Sequence, residues 1–211
     1  MAFTPPLQAH SSSAAWLRWD CERHNRCVER ARSWLAGEPL ILDTETTGLG
    51  EFDEIIQVAV VDPDGNALFN SLVRPSRSIP PRATRIHGLG DADVREAPDG
   101  GQVCSQLRLL LKGRLVCAYN AGFDRRMLEQ TMRIWQARPP VFRSECIMEL
   151  YAEYAGKPHL GGVGYHWWSL QAAAAACGIP ITRAHDALSD AVTAAGLLRH
   201  VAARQLRSLP L

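Results

Sequence analysis

Several things are missing from this 211-residue chain, and each absence excludes a class of protein. No run approaches the roughly 18–20 consecutive apolar residues that a membrane span needs, and no basic stretch followed by an apolar segment stands near the start. No Cys-x-x-Cys pair is present, and the six cysteines (Cys21, Cys27, Cys104, Cys117, Cys146, Cys177) are too scattered for a disulfide-stapled domain. Net charge is nearly absent too: 23 Lys+Arg against 22 Asp+Glu leave +1. A strongly basic protein that coats duplexes is thereby excluded. The expectation is a soluble, cytoplasmic protein with reduced thiols packed as small hydrophobes.

What is there suits one ordinary globular domain with an extension: 46% apolar and 21% charged residues. Residues 1–12 read as a loose end. Helical spacing follows over 13–36, through Trp16, Leu17, Cys27, Ala31, Trp34 and Leu35, and Gly37 and Pro39 close it. This helix is either a docking element for a polymerase or repair protein or a brace across the back of the domain. Cys21, His24 and Cys27 stand at three-residue steps on it, but without a fourth metal ligand they read as packing residues. The expected division is an N-terminal tail and helix over 1–37, a main domain over 38–205 and a tail over 206–211.

The main domain opens with strand-like runs at Leu40–Leu42, 55–61 and 67–73, the last two joined by the turn signal Asp62-Pro63-Asp64-Gly65-Asn66. A Pro- and Arg-containing loop is expected over 74–98. Helical patterns follow near 102–111, 122–136, 146–155, 169–177 and 187–204, with a buried strand at 114–118 and a Gly-rich connection over 156–164. Adjacent strands first and helix-separated strands later predict an α/β fold, a mixed sheet with helices on both faces. Charge is uneven: 74–95 holds five arginines against two aspartates, and 125–143 five against one glutamate. Both segments can meet phosphate, although any one arginine is better read as a solvated side chain.

Chemistry concentrates at three places. Asp43 and Glu45, two apart at the end of a strand, emerge from one face. Two carboxylates about 5 Å apart repel by roughly 3 kcal/mol at an effective dielectric near 20. Such a pair is tolerable if water reaches it, if one acid is protonated, or if divalent cations sit between them. Tyr119-Asn120-Ala121-Gly122-Phe123-Asp124 follows a strand and opens a helix, which places Asp124 at the sheet's crevice. Asp186 is a natural N-cap for the last helix, with Asp190 in its first turn and His185 just outside it.

Asp43-Thr44-Glu45-Thr46-Thr47-Gly48, then Asn120-x-x-Phe123-Asp124, then His185-x-Ala187-x-x-Asp190 resemble, in order and approximate spacing, the DEDDh exonucleases of the DnaQ-like superfamily, which includes ribonuclease T and the polymerase III epsilon subunit. Ile86-His87-Gly88-Leu89 adds a fourth point of agreement. The tyrosine-type sister class would carry tyrosine where Asp186 stands. The resemblance implies a ribonuclease H-like fold in which Asp43, Glu45, Asp124 and Asp190 converge on two Mg²⁺ or Mn²⁺ ions, with His185 as general base. It implies in-line hydrolysis at a 3′ end and release of nucleoside 5′-monophosphates. Thr46, Thr47, Gly48 and Leu49 become candidates for the terminal-nucleotide pocket, His87 for a nucleotide or phosphate contact, and Asn120 for a place beside the substrate. Phe123 could wedge against a base, with the core as its preferred place.

The expected partner is nucleic acid with a single-stranded or frayed 3′ end, DNA slightly ahead of RNA. An RNA-trimming exoribonuclease is the alternative. A non-catalytic binding module on the same fold is disfavoured, because a pure binder gains nothing by aiming repelling acids at phosphate. In 156–168, Lys157, His159, Tyr165, His166, Trp167 and Trp168 mix basic and aromatic groups. Tyr165 or Trp167 could stack a base, while anchoring of the loop on the sheet is the plainer reading.

Overall fold

The computed structural model describes residues 13–159 and 163–209. The expected loose end over 1–12, the centre of the Gly-rich connection and the last two residues lie outside them. Five strands form one mixed sheet in the order β3-β2-β1-β4-β5. β1 (Leu40–Thr46), β2 (Ile55–Val61) and β3 (Ala67–Leu72) make an antiparallel meander, whereas β4 (Leu115–Ala118) and β5 (Arg143–Cys146) run parallel to β1. Between β2 and β3 the Asp62 carboxylate accepts the backbone N–H groups of Asp64 and Asn66, closing the predicted turn.

Alternation along the strands builds a core on each face. Leu40, Leu42, Val58, Val60 and Val116 pack against α4 (Gly100–Leu111) and α5 (Ala121–Ile134). Ile41, Ala59, Val61 and Cys117 pack on the other face against α1 (Ser13–Ala36), α6 (Ile147–Ala155), α7 (Leu170–Ala176) and α8 (Ala187–Ala202). The predicted mixed sheet with helices on both faces is the observed architecture. Asp43 and Glu45 continue the register of Ile41 and so belong to the α8 face, while Thr44 belongs to the α5 face.

The segment read as a loop over 74–98 contains two short helices, α2 (Pro81–His87) and α3 (Asp91–Val94). Pro81 occupies the first turn, where a missing N–H costs nothing, and Gly88 ends α2 in a left-handed conformation (φ 81°). With Ala83 and His87 as its buried side chains, α2 has too little apolar periodicity to stand out from a loop. Strand β5 was not anticipated either. Arg143-Ser144-Glu145-Cys146 has no apolar alternation, and pairing with β4 from Leu115↔Arg143 to Ala118↔Cys146 makes it a strand.

Helix α1 lies against α6 and α8, with Cys27, Val28, Ala31 and Trp34 buried. The buried Arg23 guanidinium donates to the carbonyl oxygens of Glu153 and Tyr154 at the C-terminal end of α6, where the helix dipole favours a cation. His24 Nε2 meets the Gln205 carbonyl oxygen at 3.0 Å, and burial pushes the Cys27 thiol up to about 12. His24 and Cys27 are therefore packing residues, and the inner face of α1 is a brace.

Candidate active site

At the C-terminal ends of β1 and β4 the sheet opens into a cleft of about 300 Å³ bordered by Asp43, Glu45, Asp124, His185 and Asp190. Residues from three distant segments thus meet. The strand delivers Asp43 and Glu45; a register shift follows immediately, between Glu45 and Thr46. Asp124 sits in the first turn of α5, buried, and accepts a hydrogen bond from the Thr44 hydroxyl at 2.8 Å. Asn120 precedes α5 without capping it through its side chain and stands exposed on the cleft wall.

The start of α8 is tied to the sheet. Asp186 caps it by accepting from Ser189 N (3.1 Å), and Gln57 on β2 donates to Asp186 Oδ2 (3.2 Å) while accepting from Ala187 N (3.1 Å). His185 lies just outside in a left-handed conformation (φ 59°), the break that frees it from helical geometry. Its backbone N–H donates to Asp190 Oδ2 at 3.2 Å. Its ring stands exposed at the rim of the cleft.

Burial, reinforced by mutual repulsion, sets the electrostatics. Asp43 is held far above the usual carboxylate range by desolvation, then by the charges of Asp124, Asp190, Glu45 and Asp186. Desolvation followed by Asp190, Asp124 and Asp186 raises Glu45 to about 8. Desolvation raises Asp124 to about 7 against the lowering effect of the Thr44 hydroxyl. It also raises Asp190, and the His185 backbone N–H partly offsets that. Such an arrangement is costly without cations and suited to them. Among the described residues, Glu45, His185 and Asp190 place possible ligand atoms within 4.8 Å of one another. Asp190 Oδ1 is buried with no hydrogen-bond partner, as expected of an oxygen aimed at an ion. The donor set fits a hard divalent cation.

A second cavity, about 640 Å³, opens beside Glu45. Thr46, Gly48, Leu49, His87 and Phe123 line it, whereas Thr47 does not. The Thr47 hydroxyl donates to Asp53 Oδ1 (2.8 Å) and accepts from Glu54 N (2.9 Å), so it braces the β1–β2 connection instead of facing the cavity. His87, expected to contact a nucleotide or phosphate, borders this cavity and orders its own loop, its Nδ1 accepting from Leu89 N at 3.1 Å. Phe123 was expected in the core. It is half-buried, touches that core, and borders both cavities, with the Arg126 guanidinium 5.4 Å over its ring.

Arg82, counted among the arginines of 74–95, and Ile86, part of the Ile86-His87-Gly88-Leu89 motif, border the larger cavity from α2, a place the sequence did not assign to either. Sequence reasoning missed Gln57, whose strand position alone says nothing of its tie to α8. Tyr165 and Trp167 line a separate cavity against Trp34 of α1 rather than the acidic cleft. Trp168 anchors the connection, its carbonyl oxygen accepting the Tyr119 hydroxyl at 2.8 Å and its ring packing against the core.

Comparison with known proteins agrees with this geometry. The model of the RNase T exonuclease family matches residues 40–198. The uncharacterized exonuclease CP81 of Escherichia phage 186 is 37% identical over 177 residues, covering 81% of this chain and 91% of the phage protein. The DNA polymerase III epsilon subunit of Treponema pallidum is 31% identical over 153 residues, covering 71% of this chain and 69% of the subunit. Among solved structures, exonuclease X in complex with 5′ overhanging duplex DNA superposes with a TM-score of 0.56 at 29% identity, over 76% of this chain and 89% of that one. A 3′-exonuclease that recognises the histone mRNA stem-loop shares the fold, with a TM-score of 0.65 at 17% identity over 79% of this chain and 64% of its own. The chain therefore belongs to the RNase T exonuclease family, the DnaQ-like 3′–5′ exonucleases of ribonuclease H-like fold.

Proposed function

We propose that this exonuclease is a divalent-metal-dependent enzyme acting on the 3′ end of DNA and releasing nucleoside 5′-monophosphates. The observation that carries the reading is the meeting of four mutually repelling carboxylates, Asp43, Glu45, Asp124 and Asp190, beside an exposed histidine. These four acids would hold two hard cations, Mg²⁺ or Mn²⁺. When bound, the ions supply positive charge to the attacking and leaving oxygens of an in-line displacement.

The chain's own groups do the rest. His185, exposed at the rim of the cleft, takes a proton from the attacking water on a ring nitrogen. Thr44 orients the Asp124 carboxylate. The cavity between β1 and α2 receives the terminal nucleotide, with Thr46, Gly48, Leu49, His87 and Phe123 around it and Arg82 facing phosphate. The exonuclease domain spans 38–205. Helix α1 stiffens it from behind, so a polymerase or repair partner would meet its outer face, where Leu17 is exposed.

The preference for DNA draws support from relatives: the epsilon subunit is part of a DNA polymerase, and exonuclease X was solved with duplex DNA. The decisive experiment incubates the protein with 3′-labelled single- and double-stranded DNA and RNA, with Mg²⁺, Mn²⁺ or chelator, and identifies products by chromatography. Mononucleotides from DNA that vanish with chelator are expected. RNA as the faster substrate would favour exoribonuclease action. Asp43→Ala and Asp190→Ala should each fold and fail to cleave, and undiminished hydrolysis by a folded Asp43→Ala protein would refute the assignment.

A further inference from the structure

A cavity of about 680 Å³ lies against the second half of α1, the start of α6 and the segment after the Gly-rich connection. It shares no lining residue with the acidic cleft, and the hydrolysis described above uses none of its side chains. Trp34, Tyr165 and Trp167 give it aromatic walls. Trp34 is buried and already carries the Arg30 guanidinium 5.6 Å over its ring, whereas Trp167 is 64% exposed. Anchoring of the connection falls to Trp168, so packing does not account for Trp167.

The exposed indole follows a short paired ribbon. Pro158 bridges to Tyr165, His159 N donates to the Gly164 carbonyl oxygen (3.1 Å), and His166 N donates to that of Lys157 (2.8 Å). A ring held in water by a fixed backbone is organised in advance for binding. Charge then selects what binds. Glu145 of β5 shares the face of its register partner Cys117, toward α1 and α6, and Glu149 stands exposed in the first turn of α6; both line the cavity. Arg26 and Arg30 reach it as well, but both pair with Glu153, at 3.6 and 3.1 Å. Among the described residues no cation pairs with Glu145 or Glu149. Two unpaired carboxylates beside an exposed indole attract a cation, through charge and the negative face of the ring, and repel the phosphates that flank any nucleic-acid base. The volume is that of a pocket for a sizeable molecule rather than a single ion. Val163, 78% exposed and next in sequence to Gly164 of the lining, offers apolar contact that only a larger partner can use.

We propose that this cavity is a docking site for a basic segment of a partner protein, one Lys or Arg of which lies against the Trp167 ring and is paired by Glu145 and Glu149. The site goes beyond the hydrolysis and does not depend on it. Exposed Leu17 belongs to the first half of α1, and this site to the second. A partner seated here leaves the acidic cleft open to nucleic acid.

The test follows the full ¹⁵N-labelled chain by NMR during titration with N-acetyl-hexalysine amide. The Trp167 indole signal, assigned by its loss in Trp167→Phe, should shift and saturate. Combining Glu145→Gln with Glu149→Gln should weaken the affinity read at that signal about tenfold, as expected for two ion pairs near the surface. Trp167→Ala, read at the Gly164 amide, should weaken it about threefold, the loss of one exposed cation–π contact. Thermal unfolding checks that each variant folds, and the single glutamine substitutions serve if the double one does not. Three results would each overturn the proposal: shifts confined to the acidic cleft, an affinity unchanged in the glutamine variants, or a Trp167 signal that moves equally with N-acetyl-hexaglutamate amide or oligothymidylate. Tetramethylammonium that matched hexalysine at equal charge concentration would make this a site for small cations and overturn the docking of a chain.

Discussion

Replacing Glu45 with glutamine should make the metal-free protein more stable while abolishing cleavage. Glu45 is raised from 4.5 to about 8 by desolvation and by its acidic neighbours. A carboxyl group with a raised folded-state pKa keeps its proton in the folded chain after the unfolded chain has released it. Stability therefore falls as pH rises from about 4.5 to about 8, and the full penalty stands above that window. A single like-charge pair costs roughly 3 kcal/mol at about 5 Å and an effective dielectric near 20. Access of water to the cleft reduces this, and a gain of about 2 kcal/mol for Glu45→Gln is a reasonable expectation at pH 8.5. For a chain of this size that corresponds to a melting temperature higher by about 4–8 °C. The assay is thermal unfolding in EDTA across pH 5–8.5. The variant should melt above the wild type at pH 8.5, and the gap should close toward pH 5, where wild-type Glu45 is protonated as well. Saturating Mg²⁺ should reverse the order, since binding at 100 times the dissociation constant stabilises by about 2.7 kcal/mol and the variant lacks a ligand. A variant less stable than the wild type at pH 8.5, or a difference independent of pH, would refute the repulsion argument.

Three further outcomes are expected. His185→Ala should lose most cleavage, recover part of it at high pH where hydroxide is abundant, and retain Mn²⁺ affinity by calorimetry. Loss of that affinity would make His185 a ligand, a role its distance to Glu45 and Asp190 permits. Thr44→Val removes the hydrogen bond that lowers the Asp124 pKa. The acidic limb of the pH–rate profile should then move upward by about one unit, since such a bond contributes about 1–1.5 kcal/mol; an unmoved limb would show that Asp124 does not set it. Arg23→Ala removes the hydrogen bonds to the Glu153 and Tyr154 carbonyl oxygens and should lower the melting temperature by about 4 °C or more, at roughly 2 kcal/mol lost, with kcat nearly unchanged in steady-state cleavage.

The legible parts of the molecule are those carried by local pattern. The helix over 13–36, the strands at 40, 55 and 67 and the Asp62 turn follow from periodicity and turn chemistry acting within a few residues. Helix α2 and strand β5 were hidden because neither carries the apolar periodicity of its element. Pro81–His87 is a helix of about two turns with only Ala83 and His87 buried, and Arg143–Cys146 is extended because β4 offers a parallel edge. The same distinction explains the placement of Thr47, whose hydroxyl is claimed by Asp53 six residues on.

By itself the chain determined which acids exist and their spacing along strand and helix, because side-chain direction alternates with fixed period in β1 and because Asp186 must cap α8. Their convergence was decided only in three dimensions. Parallel pairing of β4 with β1 brings Asp124 beside the end of β1, and the Gln57 tie to α8 brings Asp190 and His185 to the same place. Burial then turns four ordinary carboxylates into mutually repelling ones, since like charges matter most where water is scarce. That property belongs to no single residue.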